Sequence, residues 1–285
     1  MTDQAATLRV IRGGQGPAKM TVPRRAFAVS GGKGGVGKST IALNLALAHA
    51  QLGHRTLLVD TDLGMADLNL LLGVAPGKSL LDALGGTSMD EVLVTAHGID
   101  LLPALNGSYL LSTIGPAAQT RILEMIQSLA PRFDTLVVDI AAGIGQAQTL
   151  FAGATTDTIV VVNPEPLSMA DAYASLKVLC NEQGLRHAFI VANRVTSRAQ
   201  ADEIATRLKV LVARFLDLEI TALPPIPADP TVSEAAHIGV PLLVHAPDSP
   251  AVRAIRQVCR ALASLAPPPT AAWWRDTARF QGDSR

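Results

Sequence analysis

The chain has 285 residues, 48% of them hydrophobic and 17% charged, with 24 basic and 24 acidic side chains and a formal net charge of zero. That balance excludes a global positive field drawing the protein to nucleic acid or acidic lipid, so any such contact must be local and no direct nucleic-acid binding is expected. Two cysteines, Cys180 and Cys259, stand far apart in helix-like runs. They exclude a disulfide framework, a zinc knuckle or an iron–sulfur site, and read as small packing residues of a reducing cytoplasm. No stretch reads as a secretory leader or a bilayer span.

In chain order, a polar, glycine-containing start leads to an apolar run at 26–29 and the loop Ser30-Gly31-Gly32-Lys33-Gly34-Gly35-Val36-Gly37-Lys38-Ser39-Thr40. A helix is predicted over 40–51, stopped by Gly53. Further runs at 56–59, 99–102, 136–138, 158–162 and 188–192 are apolar throughout rather than alternating, which suits strands covered on both faces. Helical spacing fills 119–129 before Pro131, 168–181 before Gly184, and 200–216. The proline-rich segment 224–230 reads as a rigid loop beside a base pocket, and a last amphipathic helix spans 251–265 before Pro267-Pro268-Pro269. Apolar segments recur without an obvious linker, so one globular domain is expected. The alternation predicts an α/β fold: a doubly wound, mostly parallel sheet flanked by helices on both faces, with ligands at the carboxyl ends of its strands. Asp60, Asp139 and Asn193 each follow a predicted strand, so all three can converge on the glycine-rich loop.

The spacing Gly32-x-x-x-x-Gly37-Lys38-Ser39, between a strand and a helix, is a phosphate-binding pattern. Glycines let the backbone turn inward so that the N–H groups of Gly34, Gly35, Val36, Gly37 and their successors surround the phosphates, and the helix start adds its positive end. Lys38 then meets the terminal phosphates, Ser39 offers a hydroxyl to magnesium, and Thr40 faces the proximal phosphate.

Lys33 has no role in the ordinary version of this loop. With it the motif becomes Lys-Gly-Gly-x-Gly-Lys-[Ser/Thr], and the sequence resembles the MinD/ParA family of deviant P-loop ATPases, of SIMIBI type. The resemblance implies that Lys33 reaches across an ATP-bound homodimer to the other subunit's nucleotide, much as an arginine finger acts in trans. Asp60-Thr61-Asp62-Leu63-Gly64 looks like the family's first switch, with Asp62 orienting the attacking water and Asp60 supporting the metal. The segment 133–139 looks like a Walker B strand whose Asp139 holds Mg2+. Ile140 stands where relatives carry a small polar residue, which leaves γ-phosphate sensing to the backbone at Gly143. Asn193 matches the position that reads adenine, and Pro227 and Asp229 resemble a second base-contacting loop, so ATP and ADP are favoured over GTP.

Two further stretches narrow the resemblance. Residues 163–173, Asn-Pro-Glu-Pro-Leu-Ser-Met-Ala-Asp-Ala-Tyr, are similar to a segment of the FlhG/FleN (YlxH) group. The start, Asp3-Gln4-Ala5-Ala6-Thr7-Leu8-Arg9, matches the element by which that group activates the GTPase FlhF; Asp3, Gln4, Ala5, Leu8 and Arg9 are its expected contacts. The expected organisation is an N-terminal arm at 1–22, an ATPase domain at 23–266 and a tail at 267–285. In the tail, Trp273, Trp274 and Phe280 suit either a lipid interface or a groove on the domain itself. The resemblance therefore implies a slow, dimerisation-dependent ATPase that controls flagellar number or placement. It would be cytoplasmic and peripherally membrane-associated with ATP, and would have an FlhF-like GTPase and flagellar switch or C-ring components as partners. The alternative is a ParA-like cargo positioner or a MinD-like division-site ATPase.

Overall fold

The computed structural model describes residues 25–62, 67–104 and 115–266. The expected arm, with Asp3, Gln4, Ala5, Leu8 and Arg9, and the expected tail, with Trp273, Trp274 and Phe280, lie outside the described residues.

The uniformly apolar runs become the centre of a parallel sheet. Strands β1 (Arg25–Ser30), β2 (Thr56–Asp60), β3 (Val94–Ala96), β4 (Ile99–Leu102), β5 (Thr135–Asp139), β6 (Asp157–Val162), β7 (His187–Val195) and β8 (Glu219–Ala222) lie in the order β3-β4-β2-β5-β1-β6-β7-β8. Every pair is parallel except the β3–β4 hairpin at one edge. The short β9 (Ile226–Pro227) pairs with β7 beyond the end of β8. Strands β2 and β5 are buried at every position because helices cover both faces of the sheet.

One face carries α1 (Lys38–Gln51) and α11 (Pro250–Ala263), packed on Phe27, Val29, Leu58 and Val137. Helix α1 is apolar nearly all round, with Ile41 to His49 buried throughout, because it is sandwiched between the sheet and α11. Between β2 and β3 come α2 (Leu68–Leu72), α3 (Leu80–Leu84) and α4 (Met89–Val92). The opposite face is covered by α5 (Pro116–Leu129) and α6 (Gln146–Gly153), then by α7 (Pro166–Gln183) and α8 (Arg198–Phe215) over β6 and β7. Cys180 and Cys259 are both buried free thiols, in α7 and α11.

Elements legible only weakly in the sequence are the short ones. The segment 224–230 is a correction: it holds the two-residue strand β9, and Pro230 is the first residue of α9 (Pro230–Ile238), followed by α10 (Leu242–His245). Proline is tolerated there because the first helical N–H needs no partner. Among the described residues no helix is long and apolar enough to cross a membrane.

Candidate functional site

The order β2-β5-β1-β6 brings the carboxyl ends of four strands under one loop. The segment 31–37 leaves β1 there, and α1 starts at Lys38. Gly37 has φ 99° and Gly35 φ 77°, left-handed conformations that suit glycine. A side chain at Gly37 would also strike Asn193, whose Nδ2 would lie 2.5 Å from the new Cβ. At Gly32 the added Cβ would fall 2.1 Å from the backbone oxygen of Asp171, so α7 presses directly on the loop entrance. Gly34 faces open space.

The two lysines of the loop diverge. Lys38 is buried, and its Nζ lies 3.4 Å from the Lys33 carbonyl oxygen. Burial lowers its pKa, while the charges of Asp139 and Asp62 act to keep the ammonium form. Lys33 points outward and pairs with Glu165 at 2.5 Å. Glu165, just before α7, is held below the usual carboxylate range by the hydrogen bond and charge of Lys33, with a smaller contribution from Arg194. Nothing in the spacing of the loop flagged Glu165 as the partner of Lys33; the sequence singled it out only as part of the segment 163–173.

Below the loop, Asp60 and Asp139 are register partners at the ends of β2 and β5. Both are buried. Burial pushes the Asp139 carboxyl up to about 7, partly offset by a hydrogen bond from Ser39 and the charge of Lys38. Asp60 is raised well above the ordinary range, by burial and then by the nearby Asp139, against hydrogen bonds from the Asp62 and Leu68 backbone. The Asp62 N–H donates to Asp60 Oδ1 at 2.9 Å, and the Thr61 hydroxyl donates to the Asp139 carbonyl at 2.6 Å. Asp139 Oδ1 is buried with no hydrogen-bond partner. Such an orphaned acceptor, beside a hydroxyl and a second carboxylate, is the donor set a hard divalent cation takes, so Ser39, Asp139 and Asp60 fit Mg2+. Thr40 is half-buried in the first turn of α1, and its carbonyl accepts from Asn44 Nδ2 at 2.7 Å.

The base-side residues carry structural roles that the sequence did not disclose. Asn193 Nδ2 donates to the Val36 carbonyl at 2.8 Å, so the amide ties β7 to the phosphate loop. Pro227 pairs with Val195, and the Ala228 N–H donates to the Val195 carbonyl. Asp229 caps α9: its Oδ1 accepts from the Thr231 N–H at 3.0 Å and from the Thr231 hydroxyl, and its Oδ2 accepts from the Ala251 N–H at the start of α11. Ile140 is a core residue, 1% exposed, its N–H donating to the Val29 carbonyl; Gly143 follows with φ 109°.

A loop of this shape, closed by a lysine and underlain by two strand-end carboxylates, has the form of a phosphate site, and comparison with known proteins gives the family. The model of the ParA family, described as NUBPL iron-transfer P-loop NTPase, matches residues 23–263. The chain belongs to the ParA family of P-loop NTPases. It is 36% identical over 215 residues to the antiactivator FleN of Pseudomonas aeruginosa, covering 75% of this chain and 77% of that protein. To the flagellum site-determining protein YlxH of Helicobacter pylori it is 32% identical, over 68% of this chain and 66% of that protein. Among solved structures, the cell division ATPase MinD of Pyrococcus furiosus superposes with a TM-score of 0.71 at 26% identity, over 85% of this chain and 99% of that one. Its doubly wound, mostly parallel architecture is that of the MinD/ParA ATPases.

Proposed function

We propose that this ParA-family NTPase is a MinD-type ATPase of the FleN/YlxH kind, regulating flagellar number or placement by switching between an ADP-bound monomer and an ATP-bound dimer. The observation that carries this is the divergence of its two loop lysines, Lys38 turned into the phosphate loop and Lys33 turned out to the surface beside Glu165. An outward lysine at the mouth of its own site is placed for a second subunit's nucleotide. The likeness to FleN and YlxH supports the flagellar setting.

Hydrolysis of ATP to ADP and phosphate needs positioning and charge compensation more than covalent chemistry. In this chain the N–H groups of Gly34–Thr40 cradle the phosphates and Lys38 meets the terminal one. Asp62, anchored through its backbone to Asp60, orients the attacking water. Ser39, Asp139 and Asp60 would hold Mg2+, which would supply Lewis-acid neutralisation of phosphate charge. Lys33 leaves Glu165 and completes the partner's pocket, which makes turnover slow and dependent on dimerisation. Asp3–Arg9 stimulates an FlhF-like GTPase, and the tail with Trp273, Trp274 and Phe280 anchors the ATP form peripherally to a membrane.

The deciding experiment is size measurement by light scattering of the Asp62→Ala protein with ADP and with ATP. A monomer with ADP and a dimer with ATP is expected, with hydrolysis stopped; a monomer in both overturns the switch. Sedimentation with anionic liposomes, with and without residues 271–285, tests the anchor: ATP-dependent binding is expected only in the intact chain.

A further inference from the structure

The turn after β2 brings two carboxylates to the site, and the residue between them carries no charge. Thr61 is 4% exposed, and both of its donors go to one acceptor, the Asp139 carbonyl oxygen: the N–H at 3.2 Å and the hydroxyl at 2.6 Å. The peptide group to which this oxygen belongs is held from its other side as well, because the Ile140 N–H donates to the Val29 carbonyl at 3.0 Å. Asp139 thus leaves β5 through a peptide fixed by β1 on one side and by Thr61 on the other. One residue after Thr61 the chain turns: the Asp62 N–H donates to Asp60 Oδ1, and the Leu68 N–H donates to the same carboxylate.

Satisfying hydrogen bonds does not require the hydroxyl. The Thr61 N–H already serves the Asp139 carbonyl, and a valine would fill the same buried space with no polar group to place. What the second bond adds is orientation. A single N–H bond leaves the residue free to pivot about the N···O line, and a second donor on a stiff β-branched side chain removes that freedom. The point where Asp62 begins is then set relative to the backbone of Asp139. The Asp139 carboxylate in turn accepts from Ser39, so the phosphate loop, the turn after β2 and the end of β5 meet at this one residue.

We infer that Thr61 is a positioning residue: its hydroxyl locks the turn after β2 to the Asp139 peptide, so that the Asp62 and Asp139 carboxylates keep one fixed spacing. The inference rests on the ATPase reading above, in which Asp62 orients the attacking water and Asp139 would hold Mg2+. Phosphoryl transfer depends on that alignment, and a displacement of about 1 Å costs on the order of a hundredfold in rate. Thr61 acts through these two neighbours.

The test compares Thr61→Val, which removes the hydroxyl and keeps the shape, with Thr61→Ser, which keeps the hydroxyl. Single-turnover ATP hydrolysis is measured on the full chain, together with affinity for a fluorescent ATP analogue in EDTA and in Mg2+, and thermal melting. Thr61→Val is expected to slow hydrolysis about tenfold or more and to cut the affinity gained on adding Mg2+ about fivefold, with affinity in EDTA within about twofold of the native protein. Its melting temperature should fall by no more than about 2–4 °C, the size of one lost hydrogen bond. Thr61→Ser is expected to recover most of both losses. Unchanged hydrolysis or an unchanged Mg2+ gain in Thr61→Val, equal losses in the two variants, a parallel fall of affinity in EDTA, or a larger fall in melting temperature would each overturn the assignment. A native protein that neither binds nor hydrolyses ATP would instead overturn the ATPase reading itself.

Discussion

At the carboxyl ends of the strands Asp60 and Asp139 are buried side by side with like charge, and one oxygen of Asp139 has no partner. At the amino ends of the same strands opposite charges meet: Arg55 grips Asp134 through its backbone and side chain, and Arg25 pairs with Asp157 while its other arm reaches the carbonyl of Ala266. Beside them His54 contacts both the Thr135 hydroxyl and His49, which stacks on Phe27. The far end joins strands through opposite charges, although among the described residues Arg25 Nε and His49 Nε2 are also buried there without a partner, and the near end sets two buried carboxyls side by side with only Lys38 and Ser39 to offset Asp139. That is the pattern expected where stability is yielded to binding.

The largest effect expected on this contrast comes from Lys38→Ala. Removing the buried cation next to Asp139 should lower ATP affinity by two orders of magnitude or more, read by titration with a fluorescent ATP analogue. Unaltered affinity would remove the near end from nucleotide binding.

The next test separates the two ends by pH. Asp139 has a folded pKa of about 7 against 3.8, caused by burial, so between those values the folded state holds a proton that the unfolded state has lost. Its contribution to stability thus declines as pH rises through that window. His49 is the reverse: burial and then His54 lower it from 6.5 to about 4, so the unfolded state takes the proton first and stability declines as pH falls below 6.5. The two slopes oppose each other in the metal-free protein. Asp139→Asn should make stability rise more steeply with pH between 4 and 6.5, and His49→Phe should make it fall, each by up to about 1.4 kcal/mol per pH unit. Urea melts at several pH values without Mg2+ measure both; slopes that move together would break the comparison.

A smaller effect tests the packing of the loop. Gly32→Ala forces a Cβ into the Asp171 backbone and should cost about 1–3 kcal/mol, whereas Gly34→Ala enters open space and should stay within about 0.5 kcal/mol. Chemical denaturation of the two variants decides it. Equal losses would mean that α7 does not brace the loop entrance.

The sequence by itself settled the phosphate loop, the central strands and the long helices. Unbroken apolar runs flanked by glycine and proline have one economical solution, a sheet covered on both faces. The strand-final positions of Asp60 and Asp139 followed from where those runs stop. The short elements were not legible, because β9 and α10 are held by pairing with β7 and by the bond from Leu243 to Asn44, contacts between residues far apart in the chain. For the same reason only the tertiary structure decided which polar groups are already spent. Asn193 is tied to Val36, Asp229 to two helix starts and Lys33 to Glu165. A motif names the side chains that can reach a ligand. Whether a hydrogen bond or a charge is still available to it depends on what the fold has brought within about 3 Å, which no local pattern encodes.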